Sequence, residues 1–417
     1  MSLAVAYFTP LPPLRSGIAD YSAALLPQLA EQFAIELFVD DPAQIEPCWA
    51  QQFPVHSIAD FLVHPAWRWR YDLCLYHMGN QSLYHEQIYR ALLQSPSVVV
   101  LHEIDLMGFY LHRSVAGGGP AAFIREMGYA YGLPGVQAAR ALLSDWTRYQ
   151  PQTYPLFNRI ATISQGIIVH TRAARERIAE EIPDARVIDI PLAAPTPVGA
   201  GVIERPDWLT HLPADAVVLA SFGYIAPSKR IDVVLQAMAR LAAAVPNLYC
   251  VLVGESVDQY DLMPLIRKLG LDDKVSITGF VDGATFEAYL RTIDIGISLR
   301  SGPTGGEMSA GLTRLLAAGK PTIVSNVGGF AELPAHSVIK IEQDAEEVER
   351  LVEALHQLIV DPAVRAAYGA AAQHYAEQEL SFARIAGQYA SFIHDCLLER
   401  KGRDLKGESI SIHESED

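Results

Sequence analysis

Short uninterrupted apolar runs alternate along the chain with longer stretches in which apolar residues recur every three or four positions. The first pattern predicts strands buried on both faces, and the second predicts amphipathic helices. In the first half, strands are expected over residues 3–8, 35–39, 72–76, 98–101, 159–163 and 186–190, with helices over 21–31, 83–93 and 165–180. Strands alternating with helices imply parallel pairing, because parallel neighbours need a long crossover connection. Residues 191–206 (PLAAPTPVGAGVIERP) are rich in Pro, Ala and Gly and lack helical periodicity, which predicts a linker. Beyond it the alternation restarts, with strands over 216–222, 248–253, 275–278, 294–298, 322–325 and 338–341. Helices over 231–244, 260–269, 284–292 and 308–318 are expected between them. Three successive helices, 346–360, 362–378 and 382–399, close the chain before a polar tail expected to be disordered.

The pattern therefore predicts an α/β protein of two similar domains meeting near residue 195, and the length of 417 residues agrees with that. In open parallel sheets ligands bind outside the carboxyl ends of the strands, so two such domains are expected to face each other across a cleft. Against 32 basic side chains stand 48 acidic ones, a net charge of −16, which argues against nucleic acid as a partner. A content of 50% hydrophobic and 19% charged residues excludes disorder for most of the chain. Cys48, Cys74, Cys250 and Cys396 are scattered and form no Cys-x-x-Cys pair, so neither a zinc site nor a disulfide framework is expected. No apolar run is long enough for a membrane span, and the N-terminus has no basic region ahead of its apolar stretch. A cytoplasmic protein is expected, with peripheral membrane contact left open and no oligomeric state implied.

Common nucleotide and metal motifs are absent. Gly319-Lys320-Pro321 lacks the upstream glycine and the hydroxyl of a phosphate loop. Gly117, Gly119 and Ala122 match a loose dinucleotide fingerprint but sit between helical segments, not after a strand. No His-Glu-x-x-His helix occurs, and no metal is expected.

The candidate chemistry lies at the carboxyl ends of predicted strands. The strand over 216–222 runs into Gly223, Tyr224 and then Lys229 and Arg230, just before a helix. Free N–H groups and the helix dipole favour an anion at such a junction, and two adjacent cations suit a diphosphate. The strand over 294–298 runs into a glycine-rich turn that opens a helix at Glu307, Met308, Ser309 and Ala310. A carboxylate there helps to cap the helix, and Glu307 can also accept hydrogen bonds from sugar hydroxyls. Arg314, seven residues on along the same predicted helical face, is placed to pair with Glu307 or to reach a phosphate. In the first half, His102 ends the strand over 98–101, with Glu103 and Asp105 beside it, a placement suited to hydrogen bonding or proton handling. Arg15 and Gly17 lie in a loop before the first helix, and His77 and Asn80 follow another strand. Acceptor-side loops are expected around 78–84 and 107–133.

These segments resemble the retaining glycosyltransferases of family 4. The resemblance is carried by the proline-glycine loop before the first helix, the His102 strand end, FGYIAPSKRIDVVLQA, the LVGE strand end, ITGFV and PTGGEMSAGLTRLLAAGKPTIVSNVGGFAELP. It extends to about residue 395 and implies the GT-B fold: two Rossmann-like domains with parallel sheets facing across a cleft. The domains would span residues 1–195 (acceptor side) and 196–380 (donor side). A helix over 381–399 would cross back to the first domain, leaving a tail over 400–417.

The resemblance implies transfer of a sugar from a UDP- or GDP-linked donor to a glycan, glycolipid or small metabolite, with retention and without a metal or other cofactor. It assigns the diphosphate to Lys229 and the amides of Met308, Ser309 and Ala310. His102 and Glu307 would act at the sugar. Arg15, Gly17, Gly223, Tyr224, Arg230, Phe280, Val281 and Arg314 would line the donor site, and His77, Asn80 and Asp105 the acceptor side. Two positions depart from the family pattern. Tyr224 stands where an arginine is usual, and Arg314 stands where a second glutamate usually accepts from the ribose hydroxyls, a contact that arginine cannot make. A nucleotide-sugar epimerase and an inactive sugar-nucleotide-binding partner subunit are the alternative readings.

Overall fold

The computed structural model describes residues 2–145, 148–150, 152–195, 204–257 and 260–406; for residues 116, 118 and 400–406 it describes the backbone only. The chain divides into two compact units. The first comprises residues 1–170, 174–190 and 383–417, and the second residues 171–173 and 191–382. Part of the linker reading, residues 196–203, lies outside the described residues.

The first unit holds β1 (Ala4–Phe8), β2 (Ala34–Val39), β3 (Val55–Ser57), β4 (Leu73–Met78), β5 (Val98–Leu101), β6 (Gly166–Val169) and β7 (Val187–Asp189). They form one sheet in the order β3-β2-β1-β4-β5-β6-β7, parallel at every described pairing. The second unit holds β8 (Val217–Phe222), β9 (Leu248–Val253), β10 (Val275–Ile277), β11 (Ile295–Ser298), β12 (Thr322–Ser325) and β13 (Ile339–Ile341). Their order is β10-β9-β8-β11-β12-β13, again parallel. In both sheets the winding reverses beside the first strand, between β1 and β4 and between β8 and β11. The connections on either side of that point diverge to opposite faces and leave a crevice at the carboxyl ends.

Runs such as LYCVLV in β9, buried at all six positions, are what a sheet covered on both faces demands. Helices start where the sequence supplies an acceptor for free N–H groups. Ser16 caps Gly17–Leu29, Asp282 caps Gly283–Thr292 by accepting from Thr285 N at 2.7 Å, and Asp361 caps Pro362–Glu379.

Two expectations fail around residue 160. The strand expected over 159–163 is the helix Asn158–Ile163, and the helix expected over 165–180 contains β6 before the helix Arg172–Glu181 begins. A four-residue apolar run such as GIIV carries no readable period; its pairing with β5, in the register Val98↔Gly166, decides its state. The expected acceptor-side loop over 107–133 is largely helical, as Met107–Arg113 and the first part of Gly119–Ser144, interrupted at Gly132 with φ 62°. The disordered tail expected over 400–417 is helical as far as Lys406. The last helix runs from Phe382 to Lys406, because Arg, Lys and Leu extend an established helix at little cost. Residues 407–417 lie outside the described residues.

From Ala383 onward this last helix belongs to the first unit. Tyr389, Ile393 and Cys396 are buried on its inner side, and the Tyr389 hydroxyl lies 3.2 Å from that of Tyr21. The seat is shaped by Gly166 in β6: a Cβ there would lie 2.6 Å from Cys396 Sγ and 2.9 Å from the Phe392 ring. Gly166→Ala is expected to destabilise the protein by about 1–3 kcal/mol through overpacking. Thermal unfolding measures this, and a variant as stable as the parent would show that the helix is not seated on β6.

Candidate anion site and histidine chain

The second unit places two cations at its switch point. β8 ends at Phe222, and Gly223 turns the chain with φ +87°, a conformation glycine adopts without strain. A 3₁₀ turn, Pro227–Lys229, returns the Lys229 ammonium to the strand end, where it donates to the Phe222 carbonyl. The tail of β11 delivers Arg300 beside it, and Ser301 N–H donates to the Ser228 carbonyl at 2.8 Å, tying the two strand ends together. Lys229 is buried and Arg300 mostly so, with 12% of its side chain exposed, and the Arg300 charge acts on the Lys229 ammonium. Burial first, and the Arg300 guanidinium second, bring the Lys229 ammonium down to about 7. Burial also lowers the Arg300 pKa, with Glu307 opposing the shift. Among the described residues no carboxylate pairs with Lys229, and the Glu307 carboxylate lies 3.9 Å from Arg300 Nε.

The helix Ala310–Ala317 brings its N-terminus to the same place. Its cap is Ser309, whose hydroxyl accepts from Leu312 N at 3.3 Å. Gly311 permits the approach, since a Cβ there would lie 3.0 Å from Phe222 Cβ and 3.2 Å from its carbonyl oxygen. Two desolvated cations and the positive end of a helix thus meet at Phe222, with one carboxylate nearby. A group carrying two or more negative charges is the complementary ligand.

Two of the expected placements change. Arg230 does not join Lys229: it adopts φ 50°, and its guanidinium forms a two-point ion pair with the buried carboxylate of Glu347. The left-handed residue turns that side chain away from the strand end, and a buried carboxylate retains a cation. Arg314 does not pair with Glu307 either. The helix starts at Ala310, not at 308, so helical spacing does not relate the two residues, and the Arg314 guanidinium stacks 4.9 Å over the Phe286 ring. Arg300 takes the place next to Glu307, a role that sequence reasoning missed, although its position just past a strand end was the available signal. Tyr224 and Phe280 are half exposed, Val281 packs at the edge of the cluster containing Phe222, and Met308 is partly buried.

In the first unit, β4 and the carboxyl ends of β5 and β6 carry a chain of three histidines, His77, His102 and His170. His170 Nδ1 lies 3.0 Å from the Ile190 carbonyl, which can only accept, so that nitrogen carries the proton. Neutral His170 then accepts at Nε2 from His102 Nδ1–H, 3.0 Å away. His102 accepts in turn at Nε2 from His77 Nδ1–H, also at 3.0 Å. His77 Nε2 is buried, with no hydrogen-bond partner among the described residues. Burial pushes His170 down to about 4, and burial together with the neighbouring rings holds His77 and His102 well below the ordinary histidine range. His102 is therefore a neutral, fixed ring with both nitrogens engaged. Asp105 is saturated: it accepts from Tyr149 Oη at 2.6 Å, Met107 N at 3.1 Å, and Gln152 N and Nε2 at 3.4 and 3.3 Å. Asn80 accepts from Phe109 N at 2.8 Å, and its own N–H donates to Glu103 at 2.9 Å. Both are committed to shaping the loops around the chain. Arg15 is exposed, and a Cβ at Gly17 would meet no atom within 4 Å.

Two parallel Rossmann-like units, each open at its switch point, are the GT-B architecture. Residues 208–375 match the family model described as Glycosyl transferases group 1. A D-inositol 3-phosphate glycosyltransferase from Saccharomonospora viridis is 30% identical over 206 residues, 47% of this chain and 46% of the relative. A 2-deoxystreptamine glucosyltransferase from Streptomyces kanamyceticus is 25% identical over 215 residues, 51% of this chain and 54% of the relative. The chain thus spans about half the length of the curated relatives it matches. Among solved structures, sucrose-phosphate synthase from Thermosynechococcus elongatus aligns with TM-score 0.63 at 17% identity, covering 98% of this chain and all of that one. The Anabaena protein HepE in complex with UDP-glucose aligns with TM-score 0.61 at 17% identity, covering 94% of this chain and all of that one. These structural likenesses concern the fold.

Two tests follow from the electrostatics. A bound anion raises the Lys229 pKa from about 7, so binding of inorganic pyrophosphate at pH 8 is expected to take up a proton. Affinity then weakens as pH rises through 7, because the free site loses its charge. Calorimetry in buffers of different ionisation enthalpy reads the proton, and Lys229→Met abolishes the uptake; binding without uptake in the parent refutes the assignment. For the histidines, folded values lie below the unfolded 6.5, so the unfolded chain binds more protons in that window. Their contribution to stability is complete above pH 6.5 and is lost as pH falls towards about 4. His170→Gln is expected to flatten this acid slope, and equal slopes in variant and parent would refute a chain held neutral.

Proposed function

We propose that this protein is a retaining, nucleotide-sugar-dependent glycosyltransferase, moving a sugar from a UDP- or GDP-linked donor to an acceptor such as a glycan, a glycolipid or a small metabolite. The observation that carries the reading is the pair of cations, buried Lys229 and mostly buried Arg300, beside the N-terminus of the helix Ala310–Ala317. Leaving of a nucleoside diphosphate concentrates negative charge on its terminal phosphate while positive charge develops on the sugar. Fixed, desolvated cations and oriented amides stabilise that charge without reorganising at the moment of reaction. They also supply the positive charge a metal would otherwise bring, which is the basis for proposing a metal-independent reaction.

Glu307 carries the donor sugar by accepting from its hydroxyls, with Arg300 Nε 3.9 Å from its carboxylate. His102, with both nitrogens engaged, is a neutral ring and does not act as a free base. The names of the relatives, transferases acting on an inositol phosphate and on 2-deoxystreptamine, support the transferase reading. No helix among the described residues is long and apolar enough to cross a membrane, and the proposed site of action is the cytoplasm.

Calorimetry with UDP and GDP, followed by donor-consumption assays beginning with UDP-glucose, tests the proposal. Lys229→Ala, Arg300→Ala and Glu307→Ala are each expected to lower donor turnover about 100-fold or more in folded protein. Full activity in Lys229→Ala and Arg300→Ala sinks the reading. Conversion of the free donor to an altered nucleotide sugar points to an epimerase, and nucleotide binding without turnover points to an inactive partner subunit.

A further inference from the structure

The first unit contains a cavity of about 420 Å³ that none of the roles above uses. It opens at the carboxyl ends of β1, β2 and β3 and against the helix Ser82–Gln94, beside the point where the winding of the sheet reverses. Its walls are hydrocarbon: Leu11, Val39, Ile58 and Ile88 are buried around it. Its charged lining is Asp40 and Asp41, and no lysine, arginine or histidine lines it.

The two carboxylates differ. Asp41 is occupied by its own turn, accepting from Ala43 N at 2.9 Å and from Gln44 Nε2 at 2.8 Å. Asp40 has no hydrogen bond or ion pair among the described residues. Asp40 is exposed to solvent at the mouth of the cavity, and the partial burial of its carboxyl pushes it up to about 6. An apolar chamber with a carboxylate at its mouth and no basic side chain in its lining is complementary in charge to a cation. A ligand that repairs it carries a hydrogen-bond-donating positive charge on a body that can lie against Leu11 and Ile58. A phosphate or carboxylate in the same place meets two like charges and no counter-charge.

We propose that this cavity binds an organic ammonium ion with an apolar body, Asp40 taking the ammonium and the hydrocarbon walls taking the rest. On the glycosyltransferase reading given above, on which this part rests, the cavity holds the acceptor by an amine-bearing end and selects against anionic acceptors. Binding itself needs neither donor nor turnover.

The test is a calorimetric series of three probes of one shape: tyramine (a cation), tyrosol (its neutral counterpart) and 4-hydroxyphenylacetate (an anion), each titrated into the full chain at pH 7.5. Tyramine is expected to bind about tenfold more tightly than tyrosol, and the anion most weakly. Asp40→Asn is expected to remove the preference for tyramine while tyrosol binding stays within about twofold. Leu83→Trp, at the exposed rim of the cavity, is expected to weaken tyramine and tyrosol together by blocking the mouth. Equal binding of cation and anion by the parent, no binding of tyramine, or a preference that survives Asp40→Asn overturns the proposal. A parallel titration with UDP separates the two readings: tyramine binding without UDP binding sinks the donor site and leaves this cavity standing, and the converse sinks the cavity alone.

Discussion

Removing two cations from water is costly, and the second unit does it at one place. Buried Lys229 and mostly buried Arg300 stand beside each other, with one carboxylate among the described residues within ion-pair range of Arg300. Their mutual repulsion and desolvation oppose folding, so the surroundings hold them in place by other means. These are the Phe222 carbonyl that receives the ammonium, the Ser301–Ser228 hydrogen bond that joins the strand ends, and the apolar sheet beneath. The same arrangement makes an anion welcome. A site left short of negative charge gains most from the ligand that supplies it, which is why the unfavourable feature of the fold is also its chemical one.

The geometry that allows this is the winding of the sheet. At the carboxyl ends of β8 and β11 the chain leaves in opposite directions, and the space between is where side chains from distant parts of the sequence meet. Lys229 and Arg300 are separated by about seventy residues and become neighbours only there. The first unit repeats the device with a different filling. Around its switch point stand a chain of neutral histidines, which orders protons without carrying charge, and a hydrocarbon cavity with an unpaired carboxylate. One topology therefore offers a positive site in one unit and a negative one in the other.

Much of this was legible in the sequence. Buried parallel strands announce themselves as continuous apolar runs, so β1, β5, β9 and β12 stand within a residue of their expected bounds. Lys229 was legible because a lysine just past such a run, ahead of a helix, has few structural reasons to be there. Where the reading failed, the local pattern was compatible with two states. GIIV in β6 is strand because β5 and the last helix pack against it, and Arg230 is diverted because Glu347, far along the chain, is buried and needs a cation. Arg300 went unassigned because nothing in its local sequence marks the burial that gives it meaning.

The sequence by itself determined the two-fold repetition of strand and helix, the strand ends at which the candidate chemistry lies, and the net negative charge. Those properties depend on residues within one or two turns of each other, where period and capping are written directly. Only the tertiary structure decided which cation serves the anion and which is spent on an ion pair, which nitrogen of each histidine holds its proton, and where a carboxylate is left without a partner. Those outcomes depend on desolvation and on distances between segments remote in the chain, and both quantities exist only once the sheets have formed.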